Sequence, residues 1–538
     1  MQSKQEKSEK LYYLLTGGLL VCTMLMMLLL SYWACRYSYY GAVDFRPRGL
    51  LVKDRTWKHL LLFLCAAFAA FGMDLLLQKQ SKIMQEKLCI CTLIVTCVIA
   101  FFIGVFYVME NPYYPVGDQI STTAFSAYCR DGNFIMLCSG GYMGMQQHQK
   151  GLGFLYEMLF AIFGNFNYTP AKILHVVWWV LTICAGCGFL KLNTDKAIFR
   201  ILYCMAMLGC VPYLLYLPYI YGDVISISFS AILFWAVASY EHFAQKRYLV
   251  VAAVVASIAT LARRNTLIVL IAVGIYSLLL CLKKRKLQYI LTGIVVILSA
   301  TVALKAVDVM YEYRSGYPSG IGIPSILYVA MGLQETEGRA GVYNRYHQAL
   351  FAENDFQQEP AAQQGKEYIR ERLAQFAKDP AMARDFFKSK LEGQWIEPMY
   401  AALETTEDFE DEKPLPAFLT NLYYGQARQK IWNLSNYYQS MLYLAGVMSL
   451  VALGLMWWKK KDIPTSLWLP WIAIFGGFLF SILWEAKSRY VFPYCVFMIM
   501  YLPLGCYETG RMILNLRKDK KKEQKQENQK EDSLREIA

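Results

Sequence analysis

The sequence predicts an all-α polytopic membrane protein, and three observations carry that prediction. Of 538 residues, 56% are hydrophobic and 15% aromatic. The apolar residues fall into runs of about 18 or more, long enough to cross a hydrocarbon core of ~30 Å as helices. Between those runs Lys and Arg gather in short clusters, the pattern of loops beside an anionic membrane face. The same clustering argues against nucleic acid as a partner despite a net charge of +13, because no extended basic groove is in view.

About twelve spans are expected, near 11–33, 59–77, 88–108, 170–190, 198–220, 224–241, 248–262, 266–282, 288–306, 437–457, 464–484 and 490–508. The first follows Lys4, Lys7 and Lys10 like a secretory signal. It exceeds an ordinary h-region, and Ser31-Tyr-Trp-Ala-Cys35 lacks a small-x-small cleavage site, so a retained anchor is expected. Orientation follows from the basic loops: Lys191/Lys196/Arg200, Lys246/Arg247, Lys283–Lys286, Lys459–Lys461 and the tail from Arg511 fall on one side. That side is read as cytoplasmic, with both termini in it. Loop 34–58, with Arg36, Arg46, Arg48, Lys53, Arg55 and Lys58, disagrees; an error in the first two spans is the simplest account. The fifteen cysteines lie mostly in apolar runs without paired CxxC motifs at zinc spacing, so buried free thiols are expected, with Cys129–Cys138 left as a potential bridge.

With that orientation, one stretch stands at the outer boundary of the third span: Met109-Glu-Asn-Pro-Tyr-Tyr-Pro-Val-Gly-Asp118-Gln119. Its two prolines and glycine prevent the helix from continuing and deliver Asp118 to the membrane–water interface. Short amphipathic helices over 119–130 and 151–163, the second ended by Gly164-Asn165, suit the interface plane. The same face receives the turn Pro218-Tyr-Ile-Tyr-Gly-Asp223, the turn Ala262-Arg263-Arg264-Asn265, a large polar helical segment from about 307 to 436, and Glu485–Tyr490. The mixed-charge run 518–530 reads as a solvated cytoplasmic tail.

Ionisable groups at membrane depth point to function and to one another as partners. Arg grips phosphate oxygens bidentately, and a carboxylate takes a proton from an attacking hydroxyl. Each feature also has a plain alternative. Asp118 and Asp223 suit helix N-caps, Arg263 and Arg264 suit snorkelling anchors, and Glu485 with Arg489 suits an i,i+4 ion pair. Tyr113, Tyr114, Tyr219, Tyr221 and Tyr490 suit an interfacial belt equally well. His148 and His175 read as a loop and a packing histidine, not as metal ligands.

The order of these motifs resembles the GT-C integral-membrane glycosyltransferases, in particular the glycosyltransferase 39 and ArnT-like group. The resemblance rests on Pro115-Val-Gly-Asp118-Gln119 after the first core span, His148-Gln-Lys150 through Ile162-Phe-Gly164, Tyr221-Gly-Asp223, Leu261-Ala-Arg263-Arg264-Asn265, and Lys487-Ser-Arg489-Tyr490. Gln follows Asp118 where several relatives carry an acid, and Lys150 lacks the proline that often follows the family lysine.

The resemblance implies a GT-C-like catalytic core over 88–306. An extra span pair (1–87) precedes it, and an extracytoplasmic helical domain (307–436), closing spans (437–510) and a charged tail (511–538) follow. It implies transfer of a sugar from a polyprenyl-phosphate donor to a glycan, lipid or protein acceptor of the cell envelope, in a multi-pass cell-membrane protein working on the extracytoplasmic side. Asp118 would be the general base and Asp223 a second catalytic carboxylate that orients the acceptor or supports the site. Lys150, Arg263, Arg264 and Arg489 would hold the leaving phosphate. No cofactor is firmly implied, no metal ligand is assigned, and the need for a divalent cation stays open. A surface-polysaccharide polymerase or ligase is the nearest alternative. A transporter or flippase, which would call for discontinuous mid-span helices and an inverted repeat, comes next, and a non-catalytic scaffold last.

Overall fold

A computed structural model describes residues 2–40, 50–318, 322–409 and 414–515, so the expected tail over 518–530 lies outside the described residues. The architecture is almost entirely helical. Helix α1 (Gln2–Arg36) and α2 (Thr56–Leu77) flank an antiparallel hairpin of β1 (Tyr37–Tyr40) and β2 (Leu50–Lys53). Next come α3 (Lys82–Glu110), the short α4 (Asp118–Arg130), α5 (Tyr142–Met145) and α6 (Lys150–Phe163), then α7 (Thr169–Asn193), α8 (Ala197–Gly209) and α9 (Val211–Leu215). Helices α10 (Asp223–Phe243), α11 (Lys246–Ala262), α12 (Thr266–Lys284) and α13 (Gln288–Ser315) form the following hairpins.

A large insertion carries α14 (Ser325–Gly332), the two-residue strands β3 (Glu335–Thr336) and β4 (Arg339–Ala340), α15 (Tyr346–Glu353), α16 (Gln358–Lys378), α17 (Pro380–Trp395) and α18 (Ala417–Tyr424). Helices α19 (Gln426–Trp458), α20 (Leu469–Leu483) and α21 (Phe492–Met498) close the order, with residues 502–515 also helical.

Among the described residues, nine helices are long and apolar enough to cross a membrane. Three of the expected spans take another form. Residues 246–262 make a helix of 17 residues, about 26 Å at 1.5 Å per residue. The run 198–220 breaks at Cys210, where Pro212 opens α9, and 490–508 is split by the 3-10 turn Ile499–Tyr501 between Pro493 and Pro503. Proline has no N–H to give to the preceding turn, so each break falls where the helix ladder would need one. Interrupted helices, which the sequence did not reveal, are therefore present.

The first two helices form as expected, and the described ends of the stretch between them are tied to neighbouring elements: Tyr39 N donates to Ile396 O just past α17 (2.9 Å), and Asn436 Nδ2 of α19 donates to Asp54 Oδ2 (3.1 Å). Helix α1 lies along α19, with Trp457 Nε1 donating to Thr16 Oγ1 (3.2 Å) and Gly446 leaving room for the Met27 side chain.

The insertion is packed on the bundle. Fully buried Trp395, at the end of α17, donates to Ser481 Oγ (3.0 Å), and its carbonyl accepts from Tyr443 OH (2.6 Å). Asp379 caps α17 through Met382 N, with Pro380 in the first turn.

All fifteen cysteines are free, Cys129 and Cys138 included. A CxxC does occur, Cys184-Ala-Gly-Cys187 within α7, where Cys184 Sγ lies 3.7 Å from Cys97 Sγ of α3.

Candidate functional site

The chain leaving α3 is fixed before it reaches Asp118. Asn111 Oδ1 accepts from Tyr113 N (3.0 Å), and Tyr114 N donates to Asp408 O (3.0 Å). Lys172 of α7 donates to the carbonyls of Asn111 (3.1 Å) and Tyr113 (2.9 Å). Gln119, which stands where an acid was considered, is buried: it accepts from Tyr113 OH (2.6 Å) and so braces the turn from within. Gly117, at φ +57°, is the N-cap of α4; this backbone region favours glycine. Asp118 is the first helical residue, exposed, and its side chain makes no cap. A negative charge in a first helical turn is favoured by the helix dipole.

Asp223 is set by an equally specific device. After α9 the chain runs through a ladder of rings, Tyr216 on Tyr219 (5.7 Å) and Tyr219 on Tyr221 (5.8 Å). Gly222 then touches the end of α11 so closely that a Cβ would lie 2.0 Å from Ala262 O. That contact puts Asp223, the buried first residue of α10, beside Arg263. Here too the N-cap is glycine and no side-chain cap forms, so neither aspartate serves as one.

The two turns and the late Arg489 meet at one carboxylate. Asp223 Oδ1 lies 3.3 Å from Arg263 Nη2 and 4.0 Å from Arg489 Nε. Arg489 Nη1 donates to Tyr219 OH. Arg263 lies over the rings of Tyr221 (4.8 Å) and Tyr490 (5.6 Å), and Arg489 over Tyr219, Tyr221 and Tyr490. Such cation–π contacts hold guanidinium groups in place without neutralising them. Asp223 Oδ2 and Arg489 Nε are both buried, with no hydrogen-bond partner among the described residues. One carboxylate therefore faces two guanidinium groups, and hydrogen-bonding capacity is left over on both sides.

Asp118 stands at the rim of this cluster and, among the described residues, pairs with neither arginine. Tyr142 OH reaches its carbonyl (3.5 Å). Glu485 is pushed above the ordinary carboxyl range, by burial first and also by the charge of Asp118, with Lys487 and Arg263 opposing. Its Oε2 accepts from Tyr490 OH (3.3 Å), so it forms no i,i+4 pair with Arg489. His148 is exposed in the described structure and carries charged neighbours. Desolvation by the protein around it and the charges of Arg263 and Arg264 hold it down at about 4 in spite of Asp118.

The remaining two cations expected here turn elsewhere. Lys150 Nζ is 2.5 Å from Asp308 Oδ1 on α13, and Arg264, half-buried with Nε unpartnered, feels the same Asp308. Sequence reading stopped that helix at 306, so Asp308 was missed; only the helical period past the apolar run could have signalled it. Tyr142 and Gly222 carried no motif beyond their neighbours.

His175 is buried and its Nδ1 meets Leu217 O (2.8 Å). Among the described residues no three His, Cys, Asp or Glu side chains group as metal ligands. Compared with known proteins, the chain matches no protein-family model, no curated protein and no solved structure.

Proposed function

We propose that this protein is a membrane glycosyltransferase that moves a sugar from a polyprenyl-phosphate donor to a cell-envelope acceptor. The observation that carries this reading is the buried Asp223 flanked by Arg263 and Arg489, with one carboxylate oxygen and one guanidine nitrogen unpartnered. Buried charge in such imbalance is unfavourable unless a ligand completes it, and a phosphate suits two guanidinium groups. The order of the charged motifs along the sequence, which resembles that of GT-C glycosyltransferases, supports the same reading. The basic loops at the opposite ends of the helices favour an extracytoplasmic site.

In this mechanism an acceptor hydroxyl oxygen attacks the anomeric carbon. The bond from that carbon to the phosphate oxygen breaks, and its electron pair leaves with the polyprenyl phosphate. Asp118 takes the hydroxyl proton, its exposed position at the rim being open to an acceptor arriving from water. Arg263 and Arg489 stabilise the departing phosphate, in rings and burial that exclude water. Asp223 holds the two arginines at their spacing and orients the acceptor. Lys150 and Arg264 stand behind, and they join the phosphate only if the donor displaces Asp308.

The test is transfer in proteoliposomes from a panel of polyprenyl-phosphate sugars. Wild type should consume at least one donor, and Asp118→Asn should lower the rate by about 10²–10⁴ at equal protein level. Unchanged transfer by Asp118→Asn removes that residue from the base role.

One observation favours a second reading, a lipid-linked-sugar flippase: the helices are interrupted at Cys210 and at 499–501. A flippase would move the donor across the bilayer with its glycosidic bond intact.

A further inference from the structure

The insertion reaches the loop of Arg489 at two places, and the two are built differently. One is a plain tie. The segment over 322–347 starts with Ile323 N donating to Met145 O (3.0 Å). Further along, Gly341 O accepts from Ala486 N (2.7 Å), three positions before Arg489.

The other is a turn at Glu397, just past α17, and its backbone is strained. Tyr400 and Ala401 both take left-handed conformations, at φ +53° and +57°. A Cβ makes that region unfavourable, and two such residues in succession are uncommon. Glu397, 4% exposed, holds them there: its Oε1 accepts from Met399 N (2.8 Å) and its Oε2 from Ala401 N (2.5 Å). Its own carbonyl accepts from Gln439 Nε2 of α19 (3.2 Å), which fixes the base of the turn to the bundle.

Strain of this kind is kept where something depends on the shape it holds. Here the turn presents Tyr400 O to Tyr216 OH, which donates to it, and sets the Tyr400 ring 5.2 Å from that of Phe492. Tyr216 in turn stacks on Phe492 (5.1 Å) and meets Tyr219 (5.7 Å), whose hydroxyl accepts from Arg489. Ser488, the residue before Arg489, is a further hydrogen-bonding neighbour of the Glu397 carboxyl. Both routes from Glu397 lead to Arg489. By contrast, the tie at Trp395 joins the same insertion to the bundle from an ordinary helix end, so attachment alone does not call for the strain.

We propose that Glu397 is a positioning residue: through the left-handed turn and Tyr216 it holds Arg489 where that arginine meets a phosphate. This rests on the reading of Arg263 and Arg489 as the phosphate-holding pair, and it makes the insertion part of how that pair is built.

The experiment is calorimetric titration of geranyl phosphate into the full chain in lipid nanodiscs, with geraniol as the uncharged comparator and empty nanodiscs subtracted. Wild type should prefer the phosphate. In either protonation state both oxygens of Glu397 can accept; Glu397→Gln keeps the size but turns an NH2 group toward one of the two N–H donors. Tyr216→Phe keeps the ring and removes only the hydroxyl that reaches Tyr400 O, so it carries the test should Glu397→Gln fail to fold. Each should weaken geranyl phosphate binding about three- to tenfold, the worth of one hydrogen bond, and leave geraniol binding unchanged. In an Arg489→Ala background, where Arg263 still supplies affinity, neither should weaken it further. A merely structural role would lower affinity equally in both backgrounds. Unchanged affinity in either folded variant, or a further loss of the same size without Arg489, would overturn the proposal. No preference for the phosphate in wild type would overturn the phosphate reading of the arginines as well. Preference without transfer in proteoliposomes would leave Glu397 in its role and remove the enzyme.

Discussion

At one end of the bundle Arg200 grips Glu86 with both terminal nitrogens (2.9 and 2.5 Å), Lys196 meets Asp74 at 2.8 Å and Lys283 meets Asp462 at 2.5 Å. At the other end two arginines crowd one buried aspartate, and Asp118 forms an ion pair with neither among the described residues. The first set matches acids to bases, and in each pair at least one partner keeps contact with solvent. Its work is to tie α8 to the α2–α3 hairpin and α12 to the loop before α20. The second set is mismatched and sealed under tyrosine rings. Ion pairs that serve only the fold settle where water shares the cost of desolvation; a charge surplus kept dry points to a ligand.

The largest effect that could break this contrast is on turnover. Arg263→Ala or Arg489→Ala should lower sugar transfer by about 10²–10³, the range for one electrostatic donor at a reacting centre. Arg200→Ala should leave transfer per folded molecule unchanged while costing about 1–3 kcal/mol of stability, the worth of a hydrogen-bonded charge left without its partner. Thermal unfolding of the purified protein, set beside the transfer rate, separates the two. Equal losses of turnover from Arg200→Ala and Arg489→Ala would erase the distinction between the ends.

Smaller in size, Gly222→Ala tests how the mismatch is assembled. The added methyl cannot coexist with Ala262 O at 2.0 Å, so α10 and α11 must part. A destabilisation of about 1–3 kcal/mol is expected, with a larger fall in transfer than Gly18→Ala, where a Cβ meets nothing within 4 Å.

The smallest effect concerns acid. His148 binds its proton at about 4 in the folded chain, against ~6.5 when unfolded. The unfolded state therefore binds more protons between those values, and stability falls as pH drops from 6.5 toward 4. His148→Gln should make that decline shallower in a pH series of thermal midpoints. An unchanged slope would mean that the imidazole is not enclosed by the arginines.

Several parts of this arrangement were legible in the residues. Long apolar runs announced the helices, and Pro112, Pro115 and Gly117 marked the place where α3 must stop and Asp118 begin. Basic clusters separated the two ends. Other parts were hidden because they depend on contacts between distant segments. Arg263 and Arg489 are 226 positions apart in number, yet both reach Asp223; nothing local to either states that the other will arrive. Pro212 and Pro503 were visible, but an apolar run hides a break because hydropathy averages across it. Lys150 looked like a phosphate ligand until α13 proved long enough to bring Asp308 to it. The turn at Glu397 comes from a segment without a motif, so nothing local to it announced a place beside Tyr216.

The insertion's segment over 322–347 is fastened to the bundle by main-chain bonds, Ile323 N to Met145 O and Ala486 N to Gly341 O. Backbone amides are common to every residue except proline, so this fastening is indifferent to most substitutions along the segment. A segment anchored in this way can change its side chains without losing its place.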